Sequence, residues 1–204
     1  MRILAIETAT EACSVALFDD TKLVDARHEV LGRGHAERLV PMIAELPEKG
    51  RADRILVSLG PGSFTGVRIG LAVARALGIA WGAEVLGYPT LELVRVRSWQ
   101  PDPRAVTVCM NGGHGEWFIQ NFAADGPAED EVRSLAPVAA AEAARYRFLA
   151  GNRAKELAAL LKEDALVLEL TPDARAAYLL HESRLTSDLA PLYGRRPDAK
   201  LPGK

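Results

Sequence analysis

The chain has 204 residues, 49% hydrophobic and 25% charged, with a net charge of −2. That size and apolar content can carry one large core or two small ones, and the near-neutral balance excludes a global basic field for drawing in nucleic acid. Two cysteines, Cys13 and Cys109, both within apolar runs, fit a reducing compartment better than a disulfide scaffold. The N-terminus enters a strand pattern without a basic and apolar leader, and no apolar stretch reaches about 18 residues. The expectation is a soluble, cytoplasmic chain with no membrane span.

Three short strand patterns come first, Arg2–Glu7, Cys13–Phe18 and Leu23–Val30. Asp19-Asp20-Thr21-Lys22 between the last two has hairpin-turn chemistry. A helical stretch follows from about His35 to Glu48, then a strand Arg54–Leu59, a glycine-rich loop, and a helix running to Trp81. A strand Glu84–Leu86 and a helix Thr90–Val96 close this half. Three antiparallel strands followed by alternating helix and strand is the order of a ribonuclease-H-like unit with a partly parallel sheet. Trp99–Arg104 holds two prolines around a charge and reads as a linker.

Beyond the linker the order begins again. Ala105–Asn111 and Glu116–Phe122 read as a strand pair joined by Gly112-Gly113-His114-Gly115, with Val132–Leu135 as a third strand. Pro137–Arg145 is helical, Arg147–Ala150 a strand, Arg153–Lys162 a helix and Ala165–Leu170 a strand. Thr171-Pro172-Asp173 starts a last helix to about Glu182, with Thr171 as cap and proline at its first position. The chain is thus expected to be α/β, with a ribonuclease-H-like order occurring twice. The expected domains are 1–100 and a smaller 101–204, whose tail Pro191–Arg196 packs back while 197–204 is disordered.

The loop Gly60-Pro61-Gly62-Ser63-Phe64-Thr65-Gly66 leads from a strand into a helix, with Ser63 and Thr65 both suitable caps. Such a turn presents unpaired N–H groups, and Gly62, Ser63, Phe64, Thr65 and Gly66 form a candidate nucleotide or anion loop. The nucleotide motifs do not fit: no Gly-Lys-Ser/Thr is present, and the glycine spacing misses the dinucleotide fingerprint by one residue. A plain structural turn is the competing reading, and on spacing alone the favoured one. Nor does Gly62-Ser63-Phe64-Thr65-Gly66 have the glycines two residues either side of a serine that a nucleophile elbow needs.

This loop resembles the signature loop of the TsaB (YeaZ) family, accessory paralogues of the TsaD enzymes of tRNA threonylcarbamoyladenosine synthesis. Ile3–Thr10 is similar to the family's first strand and loop, His35–Ile43 to its first helix, and Pro191–Pro197 to its C-terminal tail. The match is dense over residues 1–95 and loose in the middle of the second half. The resemblance implies a duplicated fold of the actin, sugar kinase and Hsp70-like ATPase kind. It further implies a non-catalytic partner of TsaD, which transfers threonylcarbamoyl to the adenosine beside the anticodon, with the ATPase TsaE as third component. Alone, the chain is expected to form a homodimer. It would meet tRNA only indirectly through the complex, and hold ATP or ADP only at an interface shared with a partner. The alternatives are an active actin-like phosphotransferase and a glycoprotease-like metalloenzyme.

Three places could carry enzyme chemistry. In actin-like ATPases the turn matching Glu7-Thr8-Ala9-Thr10-Glu11 is glycine-bearing and wraps a phosphate. Here no glycine occurs before Gly32, and two carboxylates would repel phosphate. The catalytic relatives hold a metal on paired histidines at i, i+4, whereas His35 is followed one turn later by Leu39, so no metal and no catalytic residue are expected. Asn111-Gly112-Gly113-His114 departs from the family's Asp-Ala-Arg-Arg, leaving Gly115 and Glu116 matching, with Glu116 assigned to solvent.

The run Val67–Trp81 is apolar nearly all round, with Arg68 and Arg75 as its polar stripe and small residues spaced by four. It should be covered on two sides. Small residues at that spacing let another helix approach closely. A partner is one cover, and the expected interface is His35, Leu39, Ile43, Val67, Gly70, Leu71, Ala74, Ala76 and Leu77. A helix buried within a single subunit is the other reading.

Overall fold

The structure is a computed structural model and describes residues 1–98, 103–124 and 127–194. The first sheet is built from β1 (Arg2–Glu7), β2 (Ala12–Asp19), β3 (Lys22–Val30), β4 (Arg54–Ser58) and β5 (Glu84–Tyr88). The second is built from β6 (Val106–Gly113), β7 (Glu116–Phe122), β8 (Arg133–Leu135), β9 (Phe148–Ala150) and β10 (Leu166–Leu168). The first sheet runs β3-β2-β1-β4-β5 and the second, from its other end, β8-β7-β6-β9-β10. In each, the first three strands pair antiparallel and the last two join parallel. The duplicated ribonuclease-H-like order is therefore present strand for strand.

Five helices complete the elements: α1 (His35–Ala44), α2 (Phe64–Trp81), α3 (Thr90–Ser98), α4 (Pro137–Ala143) and α5 (Ala154–Leu161). They make a stack of layers. α1 and α2 cover one face of the first sheet, where Leu39, Met42, Val67 and Leu71 meet Leu4, Ile6 and Val57. α4 and α5 cover the outer face of the second sheet through Ala140, Ala154 and Leu157. Between the sheets lies α3, which sends Leu93 and Val96 into the first core and Leu91 and Val94 into the second. Its Glu92 and Arg95 are buried there and neutralise each other, Arg95 Nε donating to Glu92 Oε1 at 2.9 Å. Covered on both faces, β2 is buried from Ala12 to Phe18, which is why it reads as an almost continuous apolar run.

Three elements differ from the sequence expectation. α1 ends at Ala44, not near Glu48, because Pro47 opens a 3₁₀ turn in which Glu48 and Lys49 take left-handed angles. The last helix is a 3₁₀ turn over Ala174–Leu179, capped by Asp173 in place of Thr171: the Asp173 carboxylate accepts from Arg175 N–H at 2.9 Å. α2, at 18 residues, is long and apolar enough to cross a membrane by length and composition, contrary to the count made from the sequence. One stripe of it, from Gly66 to Gly78, is buried on the first sheet.

Residues 173–180 lie against the face of the first sheet that α3 also covers. The chain then runs along the sheet edge, pairing Thr186 with Gly87, and Leu192 N–H donates to Leu59 O at 2.7 Å. Of the linker, Trp99–Asp102 lies outside the described residues, as does the tail from Arg195 onward.

Candidate functional site

The β1–β2 turn, the N-terminus of α2 and the β6–β7 turn converge on a cleft of about 850 Å³. Its walls include Thr10, Glu11, the stretch Gly62–Thr65, Arg68, the stretch Asn111–His114, Phe118 and Tyr193. The sequence-predicted loop and two of the three candidate chemical sites are thus brought together. His35 is not among them.

The glycine loop is pressed onto the first turn. A Cβ on Gly62 would fall 2.0 Å from Ala9 O, and one on Gly66 2.1 Å from Thr8 O. Ser63 N–H donates to Ala9 O at 2.6 Å, and the Thr8 hydroxyl donates to Gly66 O at 2.8 Å. Ser63 caps α2, its hydroxyl accepting from Gly66 N–H at 3.2 Å. These glycines are needed for close backbone approach between two pieces of the same chain.

The first turn is itself occupied. Glu7 is fully buried, and its carboxylate accepts from Ala9 N–H at 2.7 Å, with the Thr8 N–H and the Ser58 and Tyr88 hydroxyls also directed at it. Burial pushes its pKa up to about 7, against the downward pull of those donors. Backbone N–H groups that could cradle a phosphate are engaged by the chain's own carboxylate.

At the cleft mouth Phe64, 55% exposed, stacks on Tyr193 with centroids 5.5 Å apart. The Arg68 guanidinium lies 3.5 Å over the Phe64 ring centre and donates to Tyr193 OH at 3.0 Å. On the opposite wall, His114 holds a left-handed turn with Gly115. Glu116 is not left to solvent: it is half-buried and accepts from the Ser134 hydroxyl at 2.6 Å. Asn152, which nothing in the sequence marks, reaches this region and donates to Glu11 Oε1 at 2.8 Å. Only the fold makes those two neighbours.

The expected interface residues divide by face. His35, Leu39, Ile43, Val67, Gly70, Leu71 and Ala74 are buried within the chain, because the stripe that carries them packs on the first sheet. His35 Nε2 sits 3.3 Å from Ala12 O. A Cβ on Gly70 would meet Thr8 Oγ1 at 2.4 Å. Ala76 is exposed and Leu77 half-buried. The outward face consists of other residues: Ala72, Ala76, Ile79 and Ala80 on α2, with Ala36, Val40, Pro41 and Ala44 on α1. Ile79 is 86% exposed and Val40 52%.

The family described as TsaD, tRNA N6-adenosine threonylcarbamoyltransferase, matches residues 27–174. The chain belongs to the TsaD family. Within the TsaD family it is similar to the tRNA threonylcarbamoyladenosine biosynthesis protein TsaB of Escherichia coli K12, at 45% identity over 61% of this chain and 56% of that protein. The matched stretch thus spans little more than half of that relative. An uncharacterized protein of Mycobacterium tuberculosis H37Rv is 32% identical over 97% of this chain and 93% of its own length. YeaZ from Pseudomonas aeruginosa has the same fold, with a TM-score of 0.77 at 24% identity over 94% of this chain and 99% of that one. The resemblance to TsaB and YeaZ proteins read from the loop and first helix therefore stands.

Proposed function

We propose that this chain is a non-catalytic partner in tRNA threonylcarbamoyladenosine synthesis, acting on a TsaD enzyme that carries out the transfer to the adenosine beside the anticodon. The reading carries over the process named in its TsaB relatives. The observation that carries the non-catalytic part is the filled first turn, where the carboxylate of Glu7 and the glycine loop take up the place and the donors that a nucleotide phosphate would use. His35, tied inward beside buried Leu39, supports it, since neither can contribute to a metal pair on α1. This weighs against the phosphotransferase and metalloenzyme alternatives.

Docking is assigned to the outer α1–α2 face. Apolar residues gathered on one exposed face mark an interaction surface more than scattered ones do. The partners on this reading are TsaD in a heterodimer, a second copy when TsaD is absent, and TsaE as a third component. Nucleotide would sit only where two proteins meet, and tRNA would be met through the complex, in the cytoplasm. Size-exclusion chromatography of the chain mixed with TsaD tests this. A shared peak that Ala76→Glu abolishes supports the face, and a shared peak that Ala76→Glu leaves intact contradicts it.

A further inference from the structure

One amide joins the two walls of the cleft. Asn152 stands in the turn between β9 and α5, and that turn is pinned to β6. Arg153 N–H donates to Cys109 O at 3.2 Å, and Asn152 N–H points at Met110 Sδ at 3.4 Å. A Cβ on Gly151, at φ +121°, would fall 2.2 Å from Cys109 O, so the turn cannot drift from the strand. The Asn152 amide oxygen accepts from Asn111 N–H at 2.8 Å, which fixes the plane of the amide and leaves Nδ2 aimed out of the second sheet's layer. It donates to Glu11 Oε1 at 2.8 Å. Glu11 is held as firmly, because its carbonyl accepts from Leu31 and Gly32 N–H at 2.9 and 3.0 Å.

A charge-assisted hydrogen bond therefore ties Glu11, on one wall of the cleft, to the Asn152 turn that holds Asn111 on the other, each turn anchored to a different sheet. We propose that the Glu11–Asn152 pair is a latch that sets the opening of the cleft, with α3, which packs on both sheets, as the pivot. The latch is independent of the partner-binding reading, since neither residue belongs to the outer α1–α2 face.

Asn152→Asp isolates the bond. The new carboxylate still accepts from Asn111 N–H, so the turn keeps its anchor, but it now faces the Glu11 carboxylate. Glu11→Ala removes the acceptor from the other side without adding charge. The double variant Glu11→Gln, Asn152→Asp restores a donor and an acceptor with their roles exchanged. Spin labels on cysteines introduced at the exposed Lys22 of β3 and Lys155 of α5, in protein diluted with unlabelled chain so that only distances within one chain are read, report the separation of the lobes by pulsed dipolar measurement. Cys13 and Cys109 are buried, with pKa values pushed up to about 11 and 12, and stay unlabelled. The expected result is a longer and broader distance distribution in Asn152→Asp, broadening in Glu11→Ala, and return to the wild-type distribution in the double variant. Melting curves confirm that each is folded. Wild-type distributions in both folded single variants, or a folded double variant that stays open, would overturn the latch.

Discussion

Glu7 ends β1 at the mouth of the first turn, and its surroundings make it a structural acid. Between its ordinary value of 4.5 and its folded value of about 7, folding takes up a proton. Below pH 4.5 both states hold that proton, and the contribution to stability is fully present. As pH rises through 7 it is lost, because the folded chain then carries a buried carboxylate. At about 1.4 kcal/mol per unit, the span is worth about 3 kcal/mol. Glu7→Gln keeps an acceptor for Ala9 N–H and never ionises. The difference in unfolding free energy between Glu7→Gln and the wild type should move in the variant's favour by about 2 to 3 kcal/mol from pH 4.5 to pH 8. Denaturant titrations at the two values check this, and a difference independent of pH would contradict it. Gly66 makes a second test at this scale. Gly66→Ala would place a methyl 2.1 Å from Thr8 O, so it should cost at least about 1 to 3 kcal/mol as α2 lifts from the first turn. A melt within about 0.5 kcal/mol of wild type would mean the two segments are not in contact.

At the scale of elements, α2 shows what the sequence could and could not supply. Its start was legible to within the choice of Ser63 or Thr65 as cap, and its end at Trp81 was legible too; the structure takes Ser63 and closes the helix with Gly82 in a left-handed conformation. Its rotation was not. A helix apolar on nearly every side carries no hydropathy gradient to say which side faces in. The signal lay in the glycines: Gly62, Gly66 and Gly70 follow each other by four residues along the line that touches Thr8 and Ala9. Gly70, read as part of a crossing point for a partner, and Gly62 and Gly66, read as a candidate anion loop, instead seat the helix on its own sheet and first turn. Residues that looked interchangeable at an interface consequently part company. Ala76→Glu lies outward and should change stability by no more than about 0.5 kcal/mol while removing partner binding. Gly70→Glu lies inward against Thr8 and should unfold the chain. Circular dichroism melts distinguish the two, and a well-folded Gly70→Glu would show that the inner face has been assigned wrongly. α1 was overrun at its end for a different reason: Pro47 and two left-handed residues stop it, whereas hydropathy alone continues through Leu46.

At the scale of the molecule, the doubled strand order was readable because each half repeats three antiparallel strands before its first helix. What joins the halves was not readable. α3 is too short and too mixed in composition to announce that it lies between two sheets, and the stretch 183–190, between the expected last helix and the tail expected to pack back, gives no sign in sequence that Thr186 pairs with Gly87 at the sheet edge. The cleft draws on six separated segments, and pairs such as Glu11 with Asn152 or Phe64 with Tyr193 have no sequence signature. On the proposed function, this chain supports a TsaD enzyme without doing the chemistry. That role is tested most directly by reconstituting tRNA threonylcarbamoylation from TsaD, TsaE, the threonylcarbamoyl adenylate and tRNA, with and without this chain. Product should form only when the chain is present, fall to background with Ala76→Glu, and persist with Glu7→Gln. Full product from TsaD and TsaE alone, or loss of product with a folded Glu7→Gln, would contradict the account.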